Sequence, residues 1–531
     1  MMGHGQSDYS LAIDPADDGV PHGSSKTAFN WGRAVIVTAC LACTGCLAAI
    51  AGMLEMDDFL PVDLFTPDPL VPTLPALPAV TSRCDWIQAE MMRENANYSH
   101  SFLKKKFQLQ ASDPNMFYRG VDFIFWRDMT SGGWGAFNLS LISGTDLASK
   151  GLSRASTWTW ITGDQHLSNF GAWKNRHGDI VFGVNDFDEA AIYDFQMDVW
   201  RLAVSMYDHT ITNGLSDDDA RNVVHAFANK YVETMLSYMG NDKATLYEVT
   251  TDHAHSELKE FLKEVATKAR SDQLDTFTSV DADGNRHFVH DHKTRLQPMS
   301  RVVEQAVRAS WSAEGYGATL NKIGWKEREW SDDFFRIVDL AERLDSGDGS
   351  YGVERYYVLI AGSENLLAPN DAIILDVKET SEPAVRAVLS PADAAWYDNL
   401  FINEAARAVN AQRRLTSYTD PFTGWIELNG KAFVVRQRSP WKASFPVEML
   451  TTAAQFNRFV EQVAVVTATS HARGTVGRSP AQFKEVITHA LGHKKARHAW
   501  GKRVTEVAES YRQQVLADYQ CFKEFVQDKF T

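Results

Sequence analysis

Three polar side chains at close spacing form the group in this sequence best suited to phosphate chemistry. Asp164 is followed by Asn169 in the loop-like segment 162–171, and Asp186 stands at the end of the next apolar run. Carboxylate and amide oxygens are the ligands that Mg²⁺ or Mn²⁺ prefers, and a carboxylate beside them can orient or deprotonate a hydroxyl. We therefore predict a catalytic Asp164 and a metal site formed by Asn169 and Asp186, with Asp188 assisting.

The elements around these residues would bring them together. A turn-rich break at 174–179 precedes 180–184, an apolar run typical of a strand. The two ends of a β-hairpin lie close together, so the loop before it would face the acids after it. The order aspartate, asparagine, hairpin, aspartate-phenylalanine is typical of kinase-like active sites. His166, in the same loop, is a second catalytic candidate, which we expect to orient the loop; metal ligation is the alternative.

A kinase fold also needs a glycine-rich loop and a strand lysine, and candidates for both follow the catalytic segment. The candidate loop residues are Gly347, Gly349, Ser350 and Gly352. Glycines allow backbone N–H groups to approach phosphate oxygens. Lys378 ends the apolar run 373–378 and is placed to reach the phosphates of ATP. Each signal alone is weak, but together and in this order they favour an ATP site.

The segments after this lysine supply the remaining parts of a small lobe. A helix is predicted at 401–415, where Glu404 is the candidate ion-pair partner of Lys378, although a solvated helix face explains Glu404 nearly as well. A hairpin is predicted at 425–436, turning at an Asn-Gly pair. In ordinary kinases these elements precede the catalytic loop. We therefore predict an α+β, protein-kinase-like two-lobe fold in circularly permuted order, which adjacent termini make physically possible.

The chain has 531 residues, more than one compact core usually holds. We predict a large-lobe region bearing the catalytic loop at 82–335, a small-lobe-like region at 336–440, and a C-terminal helical region at 441–531. The net charge of −15 argues against a nucleic-acid partner, because phosphate backbones need a basic surface.

The first part of the chain predicts attachment to a membrane. Residues 1–33 resemble a disordered cytosolic tail, and 34–54 hold no charged residue, enough for one transmembrane signal-anchor helix. The proline-rich segment 55–81 is typical of an extended stalk. Basic residues before the span and acidic ones after it place the C-terminal part in a lumenal or extracellular compartment. A cleaved signal and a secreted protein are the alternative.

Cys84 and Cys521 are the cysteines outside the apolar N-terminal run. In an oxidising compartment they could pair and join the ends of the large domain. Two free buried thiols are an equally good interpretation of the sequence.

The sequence resembles an uncharacterised, mainly bacterial family called domain of unknown function 2252. The family signature is matched by 117–120, by 163–171 and by 185–189, in the same order. Its acidic residue and arginine on a helix correspond to Asp198 and Arg201, whose spacing of three residues also allows the two side chains to pair with each other. The resemblance spans roughly 100 to 475, and it implies a fold shared with that family without implying a substrate.

Several functions fit these residues. The first is ATP- and Mg²⁺-dependent phosphotransfer to an unknown acceptor, with nucleotidyl transfer as a variant. The second is a kinase-like binding module without catalysis. A metal-dependent phosphohydrolase ranks last, because the further motifs of a two-metal cluster are missing from the sequence. A surface hairpin with incidental acids is the non-functional alternative.

Overall fold

The computed structural model describes residues 82–130, 154–321, 329–344, 352–364, 371–475 and 483–530. All of these lie in one compact unit, Phe65–Thr531. The predicted tail, transmembrane segment and nearly all of the stalk lie outside the described residues, as do Gly347, Gly349 and Ser350. Within the described part, the structure contains no helix with both the length and the apolar character needed to cross a membrane.

The chain forms a mixed α+β structure, as the sequence predicts at that level. The helices are α1 (Arg83–Glu94), α2 (His100–Gln110), α3 (Pro114–Arg119), α4 (Asp122–Thr130), α5 (Gln196–Thr212), α6 (Asp217–Ser237), α7 (Ser256–Ala266), α8 (Arg270–Phe277), α9 (Arg301–Ser310), α10 (Tyr316–Asn321), α11 (Pro391–Asp398), α12 (Glu404–Leu415), α13 (Ala453–Arg473), α14 (Phe483–Leu491) and α15 (Lys494–Lys529). The strands are β1 (Trp158–Ile161), β2 (Phe170–Lys174), β3 (Ile180–Val184), β4 (Ala191–Asp194), β5 (Val249–Thr250), β6 (Thr278–Val280), β7 (Arg286–Phe288), β8 (Leu296–Pro298), β9 (Ile337–Arg343), β10 (Arg355–Ile360), β11 (Ile373–Glu379), β12 (Gly424–Leu428), β13 (Lys431–Gln437) and β14 (Ala443–Ser444).

A six-stranded antiparallel sheet has the order β12-β13-β11-β10-β9-β8. Side chains alternate between its faces, so Tyr356 and Val358 pack in one core while Tyr357 and Leu359 pack in another. The predicted strand at 373–378 is confirmed as β11. The predicted hairpin is confirmed as β12 and β13, and Asn429 and Gly430 both have positive φ in its turn (51° and 80°).

A helical body packs around the other end of the molecule. Helices α5, α6, α13 and α15 contribute to one large core. The start of α6 is fixed by a capping box, in which Ser216 and Asp219 each bond the other's backbone. Helix α13 begins with a similar box at Thr452 and Gln455. The helices that follow residue 441 thus share their core with the region that bears the catalytic loop.

The two ends of the described chain are joined covalently. Cys84 of α1 and Cys521 of α15 form a disulfide, with Cα atoms 5.4 Å apart and a sequence separation of 437. Beside it, the Arg83 guanidinium bonds both Asp128 and Asp518, each with a shortest distance of 2.6 Å. Of the two interpretations of these cysteines, the structure has the paired one.

Candidate functional site

The predicted hairpin brings together two segments, which we call the catalytic loop (162–171) and the acidic loop (185–189). Strands β2 and β3 are antiparallel, with Phe170 opposite Val184. The next pair is closed by the Asn185 N–H, which donates to the Asn169 carbonyl at 2.8 Å. Asn169 and Asp186 therefore lie at one end of this hairpin, as predicted.

The catalytic loop folds back on itself and rests against the acidic loop. The Asn169 Nδ2 donates to the Asp164 carbonyl at 2.9 Å, while its Oδ1 accepts no hydrogen bond from the described residues. Gly163 has φ +77°, and a Cβ there would lie 2.0 Å from the Glu189 carbonyl oxygen. Only glycine fits between the loops, because a side chain would separate them.

Asp198 anchors this loop from below. Its fully buried carboxylate accepts hydrogen bonds from the backbone N–H groups of Thr162 (2.8 Å) and Gly163 (2.9 Å) and from the Thr162 hydroxyl (2.9 Å). His471 Nε2 lies 3.1 Å from the same carboxylate, and the Tyr231 hydroxyl lies 2.8 Å from His471 Nδ1. A buried network from three helices therefore fixes the backbone that presents Asp164.

Arg201 pairs with the catalytic candidate Asp164, and Asp198 pairs with His471, in place of the Asp198–Arg201 contact that their spacing allows. The Arg201 Nε donates to Asp164 Oδ1 at 2.5 Å, and its Nη2 donates to the Tyr118 carbonyl at 3.0 Å. Asp198 and Arg201 share one turn of α5. Asp198 bonds the backbone of the catalytic loop, whereas Arg201 bonds the side chain of Asp164. The pair fixes the orientation of the Asp164 carboxylate.

His166 lies beside the second oxygen of this carboxylate. Its Nε2 is 3.7 Å from Asp164 Oδ2, and the side chain is buried. Burial lowers the pKa of His166 to about 3, despite the opposing effect of the Asp164 charge. The ring is therefore neutral near pH 7, which suits an orienting role and excludes a cationic one.

The acidic loop meets the lysine of the large sheet. The Lys378 ammonium forms an ion pair with Asp188 Oδ2, and the Lys378 side chain is only 8% exposed. Asp186 accepts from the Asp188 N–H at 3.3 Å. Burial alone would raise the pKa of Asp186, but the positive charges of Lys378, Lys442 and Arg436 hold it well below its usual range. These charges therefore favour the ionised form of Asp186.

Glu404 does not pair with Lys378. Its carboxylate bonds Arg407 Nε at 2.5 Å, one turn along α12. Arg407 is fully buried and donates from Nη1 to the Ala190 carbonyl at 2.5 Å and from Nη2 to the Asp188 carbonyl at 2.7 Å. This arginine, which the sequence analysis missed, clamps α12 onto the acidic loop. Its central place among small residues in α12 was the one available signal.

Gly352 is the member of the predicted glycine-rich loop that lies within the described residues. It has φ +96°, and a Cβ there would lie 2.6 Å from a ring carbon of Phe102. A larger residue at position 352 would clash with α2, so packing requires a glycine there. This contact neither supports nor opposes phosphate binding by the loop.

Two buried carboxyl groups, Asp122 and Glu189, flank the catalytic loop, and their burial favours the protonated forms. Burial, and then the charge of Asp164, raise the pKa of Asp122 to about 6. Burial and the charge of Asp122 raise the pKa of Glu189 well above its usual value. Asp122 Oδ2 is buried and accepts no hydrogen bond from the other described side chains when Glu189 is ionised. A protonated Glu189 would donate one to it. The pair therefore titrates as a unit.

Replacing Asp122 by asparagine is expected to stabilise the protein above pH 6. A carboxyl whose pKa is raised on folding contributes stability that is present below pH 4 and lost as the pH rises through about 6. The variant should gain up to about 3 kcal/mol over the native protein between pH 4 and 7. Urea unfolding across this range measures it, with Asp275→Asn, an exposed carboxylate of α8, as the control. An unchanged difference between pH 4 and 7 would contradict the shared proton.

The predicted metal ligands can be tested for fit. Within the described ranges, no group of three or more His, Cys, Asp or Glu side chains is arranged to hold a metal ion. The candidate set has an amide and two carboxylates, one of them paired with Lys378. Mg²⁺ commonly takes one or two carboxylates and completes its shell with water and substrate phosphates. The ionised Asp186 and the unbonded Asn169 Oδ1 fit that need.

The site belongs to an α+β protein in which a charged sheet meets an acidic loop. The chain is a member of the family described as "Uncharacterized protein conserved in bacteria (DUF2252)", whose model matches residues 100–525. The family resemblance read from the motifs is thereby confirmed. Neither the curated proteins nor the solved structures contain a match to the chain. The function must therefore be argued from the geometry of the site.

Proposed function

We propose that this protein is an ATP- and Mg²⁺-dependent phosphotransferase with a kinase-like, circularly permuted fold, acting on a hydroxyl-bearing acceptor. One observation carries the proposal. Lys378, from the centre of the six-stranded sheet, contacts the loop that holds Asp186 and Asp188, and that loop rests on the one that holds Asp164. The Lys378 ammonium thus lies beside the acids of one loop, and the Asp164 carboxylate lies in the next loop, where the six-stranded sheet meets the catalytic hairpin.

Each residue has a distinct task in this proposal. Asn169 and Asp186 would hold Mg²⁺, which supplies neutralisation of phosphate charge when bound. Lys378 is freed from Asp188 to contact phosphate oxygens of the donor. Asp164, fixed by Arg201, accepts a hydrogen bond from the acceptor hydroxyl and aligns its oxygen for attack. His166 remains neutral and supports that carboxylate.

A binding module without catalysis is the second candidate. The observation in its favour is that both Asp164 and Asp188 are already paired with cations, Arg201 and Lys378. Such pairs stabilise a ligand-free site and would persist in a protein that does not react. The same residues would also serve nucleotidyl transfer, which differs in the phosphorus that is attacked.

The location of the protein is part of the proposal. We propose that 34–54 anchors it in a membrane and that the described part lies on the lumenal or extracellular side. The Cys84–Cys521 disulfide supports this, because such bonds persist in oxidising compartments.

Replacing Lys378 by methionine is expected to remove the stabilisation that ATP and Mg²⁺ give together. A ligand at a hundred times its Kd stabilises the native state by about 2.7 kcal/mol, and losing the ion pair to phosphate should erase most of this. The measurement is thermal unfolding of the full chain with ATP plus MgCl₂, and with each alone. Lys431→Met, on the neighbouring strand with a 45% exposed side chain, is the control.

The outcomes separate the candidates. A rise in Tm that needs both ATP and Mg²⁺, and that Lys431→Met keeps, supports the proposed site. Conversion of ATP to ADP in the same sample supports phosphotransfer over a binding module. No rise under any of these conditions would overturn the nucleotide site.

A further inference from the structure

One face of the six-stranded sheet carries a row of cations, and Lys378 at one end of the row contacts the acidic loop. Arg355 of β10 is opposite Lys378 of β11. Glu342 is opposite Tyr356, which places Arg343 of β9 next to Arg355 on the same face. Neighbouring strands are about 4.8 Å apart, so the three cations span roughly 10 Å. We call Arg343, Arg355 and Lys378 the cation row.

Two more arginines add to this charge, Arg436 on β13 and Arg438 immediately after it. Arg436 Nε lies 3.6 Å from Asp376 Oδ2, beside the row. Arg438 stacks on the Phe277 ring at 4.2 Å and donates from Nε to the Tyr357 hydroxyl at 2.9 Å. Neither contact neutralises a guanidinium completely, so both add positive charge to the face.

Three acids lie on or against this face, Asp188, Asp339 and Asp376, fewer than its five cations. Asp376 is buried and bonds Arg355 through two contacts of 2.6 Å. Asp188 pairs with Lys378. Burial, and then the positive charges of Arg355 and Arg438, lower the pKa of Arg343. This crowding of like charges in a chain of net charge −15 marks a place that an anion would stabilise.

The apolar part of the same face is already covered. Tyr357, Leu359 and Ile374 pack in a core with Phe277 of α8 and Phe288 of β7. Among the described residues, the part of the face next to the acidic loop is therefore formed mainly by charged side chains. A nucleoside base needs an apolar or aromatic surface on which to stack, and a phosphate chain needs the cations that are present.

We propose that the cation row binds the phosphate chain of its ligand with little contribution from a base, so that the ligand class is a linear polyphosphate. The row contacts several phosphates at once, because its three cations lie on consecutive strands. The inference rests on the proposed phosphotransfer site and names its donor class: ATP would bind through its phosphates alone.

The test compares ligands that share the phosphate chain or the base. Calorimetric titration of the full chain in MgCl₂ uses sodium tripolyphosphate, ATP and adenosine. We expect Kd values for tripolyphosphate and ATP within about threefold of each other and no binding of adenosine. An ATP affinity more than about tenfold above that of tripolyphosphate, or binding of adenosine, would overturn the inference.

Two variants test the charge of this face, one in the cation row at Arg343 and one beside it at Arg438. Arg343→Gln and, independently, Arg438→Gln should each weaken tripolyphosphate and ATP equally, by about tenfold. Arg308→Gln, a 48% exposed arginine of α9 paired with Glu304, should change neither. Thermal unfolding without ligand shows that each variant is folded. Unchanged affinity in a folded Arg343 or Arg438 variant would contradict the assignment.

Failure of the inference differs from failure of the proposed function. Tripolyphosphate binding without any phosphoryl transfer from ATP would support the cation row and overturn the phosphotransferase. Phosphoryl transfer from ATP, together with much tighter binding of ATP than of tripolyphosphate, would support the phosphotransferase and overturn the inference about the cation row.

Discussion

Replacement of Asp198 by alanine is expected to destabilise the protein by about 3–5 kcal/mol and to abolish the proposed transfer. The carboxylate is fully buried and accepts hydrogen bonds from the Thr162 and Gly163 backbone and from the Thr162 hydroxyl. Each of these donors, and the Nε2 of His471, would lose its Asp198 partner in a buried place, at about 1–3 kcal/mol apiece before relaxation. The loop that presents Asp164 would then lose its fixed conformation.

Denaturant unfolding measures the loss, and a second aspartate on α5 gives the matched control. Asp208 pairs with Arg512 at 2.8 Å, and the two side chains are 16% and 17% exposed, whereas Asp198 is fully buried. Asp208→Ala should therefore cost less than Asp198→Ala and leave the loop that presents Asp164 unaffected. Equal losses for the two variants would show that the Asp198 network does not hold the loop.

Local features of this fold could be predicted because they depend on short sequence patterns. Strand β3 was placed at 180–184, and the Asn429–Gly430 turn was recognised because both residues tolerate positive φ. The pairing of 162–171 with 185–189 followed from hairpin geometry alone. These inferences needed nothing beyond neighbouring residues.

The partners of charged side chains could not be predicted in the same way. Spacing on α5 allowed Asp198 to meet Arg201, but His471 and Asp164, distant in sequence, took their places. Glu404 likewise bonds Arg407 in its own helix. A helix pattern shows which residues share a face and does not show which groups from other elements cover that face.

The cation row illustrates the same limit from the other side. Sequence reasoning singled out Lys378 by its place at a strand end and gave no role to Arg343 or Arg355. These lie on separate strands, and only the register of β9, β10 and β11 puts them beside the lysine. A charge cluster built across strands leaves no run of basic residues in the sequence.

Replacement of Asp164 by asparagine is expected to lower phosphoryl transfer by about a thousandfold and to leave ATP affinity nearly unchanged. Arg201 Nε donates to Asp164 Oδ1, and an asparagine carbonyl can accept the same bond, so the fold should be kept. The second oxygen becomes an amide that donates, which cannot accept the proton of an acceptor hydroxyl. Because burial lowers the pKa of His166 to about 3, its ring is a weak base, and proton acceptance would rest on Asp164.

Single-turnover conversion of ATP to ADP in MgCl₂, with water as the acceptor, measures this effect, and titration of ATP measures binding. Asp283→Asn, in the exposed turn between β6 and β7, is the control and should leave both unchanged. A separate loss of turnover, with binding kept, assigns Asp164 to the reacting hydroxyl. Equal turnover in Asp164→Asn and the native protein would leave this aspartate as a structural partner of Arg201. Turnover of ATP would then depend on a group other than Asp164.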